Sequence, residues 1–336
     1  MIASASAAVL AVSVMTLMPV PYVLETPGPT LDTLGQADGV ELIQIEQSSS
    51  HEITGQLRLT TVGAYGLEPG SLTVFELVKG YFDSSDGLLP YDLLYPDHPS
   101  NEEREAESAE QMNSSQELAT AAALGYLGMD VGVLVDETLT DSAKAVLRSG
   151  DLILRVDGQD AADYSRLRAL METVAPGSEI ELEIERAGVT VSVRLTTAEA
   201  ESGAGSLLGI AVDFDFPVEV KFGIEEIGGP SAGSMFALGI IDKLGPIDLA
   251  GGHVIAGTGT VAPSGEIGPI GGIEQKMIAA KRDGAEFFLA PAANCAELLG
   301  HEPAGLRVIK VSSLSEATAA LSGVRSGALD DLPRCG

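Results

Sequence analysis

The run Gly229-Pro230-Ser231-Ala232-Gly233 sets a serine between glycines, and its flanks restrict what the chain can build there. Ahead of it, Pro217–Ile224 reads as a strand. Behind it, Ser231–Leu244 reads as a helix, with Met235, Leu238 and Ile241 as an apolar stripe and Gly245 as a stop. The pentapeptide is therefore predicted to be a tight strand-to-helix junction whose glycines allow close backbone approach. The first amides of a helix have no intrahelical partners, and the helix dipole there favours negative charge. Ser231 can thus present its hydroxyl beside amides that would hold an oxyanion, with Gly229 and Ala232 as the turn positions. Taken alone, the pattern also fits the nucleophile elbow of α/β hydrolases and a helix cap without catalysis.

A second run separates these readings. Gly257-Thr258-Gly259-Thr260-Val261 is followed by Gly265-Glu266-Ile267-Gly268-Pro269-Ile270-Gly271-Gly272-Ile273-Glu274-Gln275-Lys276, leading into a helix over Glu274–Arg282. Lys276 stands among small and apolar residues. Desolvation disfavours an ammonium, and a neutral amine can deprotonate a serine. The bland alternative is an ordinary exposed helix lysine. A Ser-His-Asp arrangement would need His253 or His301, neither of which has a supporting motif.

Elsewhere, Val40–Glu46 and Gln56–Val62 alternate and predict a hairpin. Residues 80–112, rich in Asp, Glu, Pro and Ser, predict a long surface excursion. Ser114–Leu127 predicts a helix capped by Ser114 or Ser115 and stopped at Gly128. The stretch 131–197 is self-contained. It offers a strand at Val131–Val135, the turn-strand-turn run Leu147–Gly158, a helix at Tyr164–Thr173, and strands Glu179–Arg186 and Val189–Thr196 joined by Ala187-Gly188. Further strands are predicted around Val254–Ala256, Glu286–Ala290 and Leu306–Val311, then a helix capped by Ser312 or Ser313 and running to Leu321.

The order GDLILRVDGQ, helix, PGSEIELEIERAG resembles PDZ domains. That resemblance implies capture of an extended peptide as an added strand, with backbone amides holding its carboxylate. It places the carboxylate loop near Leu127-Gly128-Met129-Asp130, where Asp130 would repel a C-terminus. GGPSAG, GTGTV and GEIGPIGGIEQKMIAAKRDGAEFFLAPAANCAEL together resemble the proteolytic domain of the Lon family. This implies Ser231 as nucleophile and Lys276 as base, Thr258 as a hydroxyl that helps hold the lysine, and Pro291 and Asn294 in structural roles. Lon proteases carry an acidic residue just ahead of the Gly-Pro of the serine turn, where Gly228 stands here. The order of N-terminal apolar segment, PYVLETPGPT, PDZ module and serine–lysine motifs resembles the membrane-anchored PDZ–Lon-like peptidases, in which IGGPSAG is the expected form.

The expected fold is α+β: a Lon-type proteolytic domain with an inserted PDZ-like β-rich module and an N-terminal hydrophobic helix. The expected divisions are an anchor over 1–20, a region 21–127 that includes opening strands of the protease, a PDZ domain over 128–199, the proteolytic domain over 205–325 and a tail to 336. Met1–Val23 contains no charged residue, and Ile2–Val20 is almost wholly small or apolar, which suits a single membrane anchor with the rest outside the cytoplasm. The chain has 336 residues and a net charge of −30, which argues against nucleic acid as a partner. Cys295 and Cys335 are too few for a disulfide framework, although they can bridge each other. No HExxH, CxxC or GxxxxGK[ST] occurs, so neither a metal, a nucleotide cofactor nor an ATPase motor is expected. The implied activity is endopeptidase action on unfolded or extended polypeptides by a homo-oligomer. A PDZ scaffold on a silent protease fold is the alternative.

Overall fold

The computed structural model describes residues 15–37, 39–46, 51–68, 70–200, 205–224 and 227–336. Most of the expected anchor, positions 1–14, lies outside these residues. Among the described residues, no helix is long and apolar enough to cross a membrane.

The strands of the opening region that frame the site are β1 (Tyr22–Asp32), β2 (Ile43–Ile45) and β3 (Gln56–Tyr65). β1 passes through Pro27-Gly28-Pro29, residues that ordinarily interrupt a strand. Its register against β3 shifts between Pro27 and Thr30, so the prolines, which cannot donate to a ladder, fall at an irregularity. The expected hairpin does not form. β2 pairs with Val220–Phe222, and β3 pairs with β1. Helix α1 (Val74–Phe82) and strand β4 (Gly87–Pro90) follow, and β4 closes the far side of β1. Helix α2 (Asn101–Tyr126) begins well before the predicted start. Ser100 and Glu103 form a reciprocal capping box, which makes the acidic stretch the first half of the helix.

The next module contains β5 (Gly132–Thr138), α3 (Asp141–Val146), β6 (Leu152–Val156), α4 (Tyr164–Thr173), β7 (Glu179–Arg186), β8 (Val189–Thr196) and β9 (Ile210–Asp215). Its antiparallel sheet runs β8-β7-β6-β5-β9. Val133, Val135, Ile153, Leu182 and Ile184 alternate onto one face and bury Leu167 and Met171 of α4.

The remainder supplies β10 (Val220–Phe222), α5 (Gly233–Leu244), β11 (Val254–Gly257), β12 (Thr260–Val261), β13 (Ile267–Gly268), α6 (Ile273–Arg282), β14 (Phe287–Pro291), β15 (Arg307–Val311) and α7 (Leu314–Ser326). One sheet, ordered β15-β14-β11-β3-β1-β4, joins strands from both sides of the antiparallel module. β15, β14, β11 and β3 are parallel. Alternate residues serve opposite faces. Ile255, Phe287 and Leu289 meet α5 and α7, while Ala256, Phe288 and Ala290 meet α6. Helices on both faces of a largely parallel sheet make this part α/β rather than the expected α+β, and the molecule as a whole is mixed.

Candidate active site

The serine turn is tied down at every residue. Gly229 has φ 85, a conformation that costs glycine little, and its N–H donates to Ser108 O at 3.0 Å. Pro230 O accepts from Ser115 Oγ at 3.1 Å. Ser231 O accepts from Thr258 Oγ1 at 3.0 Å and from Gly259 N at 2.9 Å. Ala232 is the N-cap of α5, and its carbonyl accepts from the amides of Met235 and Phe236. Ser231 therefore lies two residues ahead of the first helical residue, half-buried, at the positive end of α5.

Ser108 and Ser115 both belong to α2, so this helix carries the turn. Sequence reasoning missed that role and read Ser115 as a cap. A Cβ at Gly228 would run into the Ser108 hydroxyl, which leaves no room there for an acidic side chain. A cavity of about 340 Å³ lies beside the turn, between Ser114, Ser115 and Leu118 of α2 and Pro230 and Val261.

Lys276 lies one turn into α6, which packs against β1 and β3. It is 2% exposed. Burial lowers its pKa from 10.5 to about 8, against a smaller upward pull from the carboxylate of Glu25. The loop feeding α6 is clamped by Asn294, whose side chain accepts from Ile270 N at 3.0 Å and donates to Ile270 O at 2.8 Å. Thr258 is fully buried at the end of β11. Its hydroxyl donates to the Ser231 carbonyl, which makes it a brace of the serine turn; its oxygen can still accept a hydrogen bond. The histidines engage carboxylates instead: His51 with Asp242, His253 with Glu286 and His301 with Glu274. Among the described residues, no His/Cys/Asp/Glu cluster is arranged to hold a metal ion.

The expected peptide-carboxylate loop is misplaced. Leu127–Asp130 ends α2 and leads into β5, whose two edges are already paired with β6 and β9. Asp130 is bound to Arg166. The module's open groove lies instead between α4 and β9. There a cavity of about 400 Å³ is lined by Tyr164, Leu167 and Met171 on one side and Leu208, Gly209 and Ile210 on the other. Ser206 also lines it, with a buried hydroxyl that has no hydrogen-bond partner among the described residues.

Residues 207–321 match the family model of the Lon protease (S16) C-terminal proteolytic domain, and residues 111–197 match that of the PDZ domain. The chain carries a Lon-type proteolytic domain and a PDZ domain. A Lon-type domain supports a serine protease, and a PDZ domain supports binding of a peptide ligand. The PDZ match stops short of β9, although β9 completes that sheet. No curated protein matches the sequence. Among solved structures, the PDZ domain of an SdrC-like protein from Listeria monocytogenes is 20% identical, with 24% of this chain and 86% of that one covered at a TM-score of 0.23. Its counterpart from Listeria innocua is also 20% identical, covering 24% and 92% at the same score. Scores this low add nothing to the fold described above.

Proposed function

We propose that the chain is a serine endopeptidase acting on extended or unfolded polypeptides, with Ser231 as nucleophile and Lys276 as general base. The observation that carries this reading is the near-complete burial of Lys276, which brings its amine into a range where the neutral form is populated near neutral pH. The amine takes the Ser231 proton as Oγ attacks the peptide carbonyl. The oxyanion rests on backbone amides beside Ser231, ahead of the Ser234, Met235 and Phe236 amides that already donate to Gly259 O and Ala232 O. Lys276 returns the proton to the leaving amine, and water then attacks the acyl-enzyme with Lys276 again as base. Thr258 supports the turn. The test is labelling by a fluorophosphonate, with the label expected on Ser231, lost in Ser231→Ala and rising with pH towards about 8. Equal labelling of Ser231→Ala would sink the assignment.

The PDZ domain, on this reading, takes an extended peptide along β9, seated against α4. The open edge of β9 and the unpaired Ser206 hydroxyl support it. The reading includes a homo-oligomer, which light scattering would check, and an extracytoplasmic location at a membrane. Two observations support that location. Cys295 and Cys335 are bridged, and structural disulfides persist in oxidising compartments. Phe75, Tyr81 and Phe82 on α1 are more than 60% exposed, beside the point where the uncharged N-terminal segment enters through Met18 O···Val74 N. Flotation of the full chain with phosphatidylcholine vesicles tests it, and failure to float would remove the membrane from the reading.

A further inference from the structure

Gly228 leaves the serine turn without a carboxylate, yet one borders the N-terminal turn of the lysine helix from another part of the fold. A helical side chain leans towards the helix N-terminus and over the residue four positions earlier. For Lys276 that residue is Gly272, the N-cap of α6, whose carbonyl accepts from Lys276 N at 3.0 Å. Gly272 has φ 64 and no side chain. A Cβ there would lie 2.7 Å from Val62 Cγ1 and 3.4 Å from Glu25 Oε2, so the space over Gly272 is bordered by the Glu25 carboxylate.

Glu25 is held in place by its strand. It pairs with Ala64 of β3 on one side and with Gly87 of β4 on the other. At Gly87 a Cβ would lie 3.0 Å from Gln275 Nε2, so a second glycine lets the Gln275 side chain of α6 lie against β4 beside Glu25. Nothing in the motifs points to Glu25, which is far from both of them and outside the segment that matches the proteolytic family.

We propose that Glu25 is the positioning carboxylate of this site, steering the Lys276 amine across the gap over Gly272. The inference rests on the serine–lysine reading. Among the described residues, no ion pair joins Glu25 to Lys276, in contrast to the direct pair of Arg166 with Asp130. A direct pair would hold the ammonium protonated. A carboxylate set back from the amine offsets part of the burial cost of the charged form while leaving the nitrogen free to face the serine. The influence is mutual: Lys276 lowers the pKa of half-buried Glu25, against a larger upward push from its burial.

The test follows the Lys276 amine itself, through the ¹³Cε shift of the full-length protein against pH, alongside the pH profile of kcat/KM on a short peptide. Glu25→Gln keeps the shape and removes the charge. It is expected to move the Lys276 midpoint down by roughly half a unit, to carry the acid limb of kcat/KM with it, and to lower the plateau kcat through lost orientation. Glu25→Asp restores the charge and should return the midpoint towards the wild-type value. An unchanged midpoint in Glu25→Gln overturns the role of Glu25 and leaves the serine–lysine pair untouched. A midpoint that moves while the kcat/KM profile stays still overturns the positioning role from the other side, because it shows that Lys276 is not the base.

Discussion

Burying Lys276 works against stability in a direction that can be computed. Its folded pKa of about 8 lies below the ordinary 10.5. Between those two values the unfolded chain binds more protons, so stability rises with pH across that window and the full penalty applies below about pH 8. The difference of about 2.5 units, at about 1.36 kcal/mol each, corresponds to about 3 kcal/mol. Lys276→Met should therefore raise the unfolding free energy at pH 7 by up to about 3 kcal/mol while abolishing peptide hydrolysis. Lys276→Arg should be inactive too, because a guanidinium stays protonated. Denaturant melts and turnover on one peptide check both halves. Near-normal turnover in either variant contradicts the base, whereas His253→Ala and His301→Ala should keep their activity.

At the scale of elements, α2 is a strut for the serine turn. Ser115→Ala leaves the Pro230 carbonyl without its side-chain donor and should cost about 1 kcal/mol of stability. Fluorophosphonate labelling should fall several-fold with the far-UV spectrum unchanged; unaltered labelling would remove the strut. The C-terminal tail is a second case. Cys295–Cys335 closes a loop of 40 residues, and Pro333 O accepts from Lys310 N on the edge strand β15. Reduction, or Cys335→Ser, should lower stability by about 2–4 kcal/mol, readable as a lower Tm. The elements differ in how far the sequence revealed them. Strands Glu179–Arg186 and Val189–Thr196 and helix Tyr164–Thr173 were legible because their periodicity and turn residues agree. The first half of α2 was not, since its buried side is small and its charge suggested a solvated loop, although Ser100 and Glu103 carried the capping signal. Ser231 and Lys276 were visible through their motifs. Glu25, Ser108 and Ser115 were hidden because their roles come from strand pairing and helix packing across long separations.

For the whole molecule, the antiparallel module lies between two parts of one sheet, and its ends meet. Asp215 of β9 is the pairing partner of Gly132 of β5. Excision of 128–199, the span that reads as PDZ from sequence, would strand β9 without its neighbour and expose a sheet edge. The cut that respects the structure removes 132–215 and joins Val131 to Phe216 through a short Gly/Ser linker. Removing β9 also takes away Phe214, which covers Ala121 and Leu124 of α2, so some loss of stability is expected. The remaining core should still be labelled at Ser231, because the bonds holding the turn come from α2, Thr258 and Gly259. It should lose efficiency on long polypeptides far more than on short peptides, since strand addition along β9 is the capture step that has gone. Probe labelling and kinetics on the two substrates give the answer. Equal loss on both would mean that the module supports the catalytic core through α2 rather than gathering substrate for it.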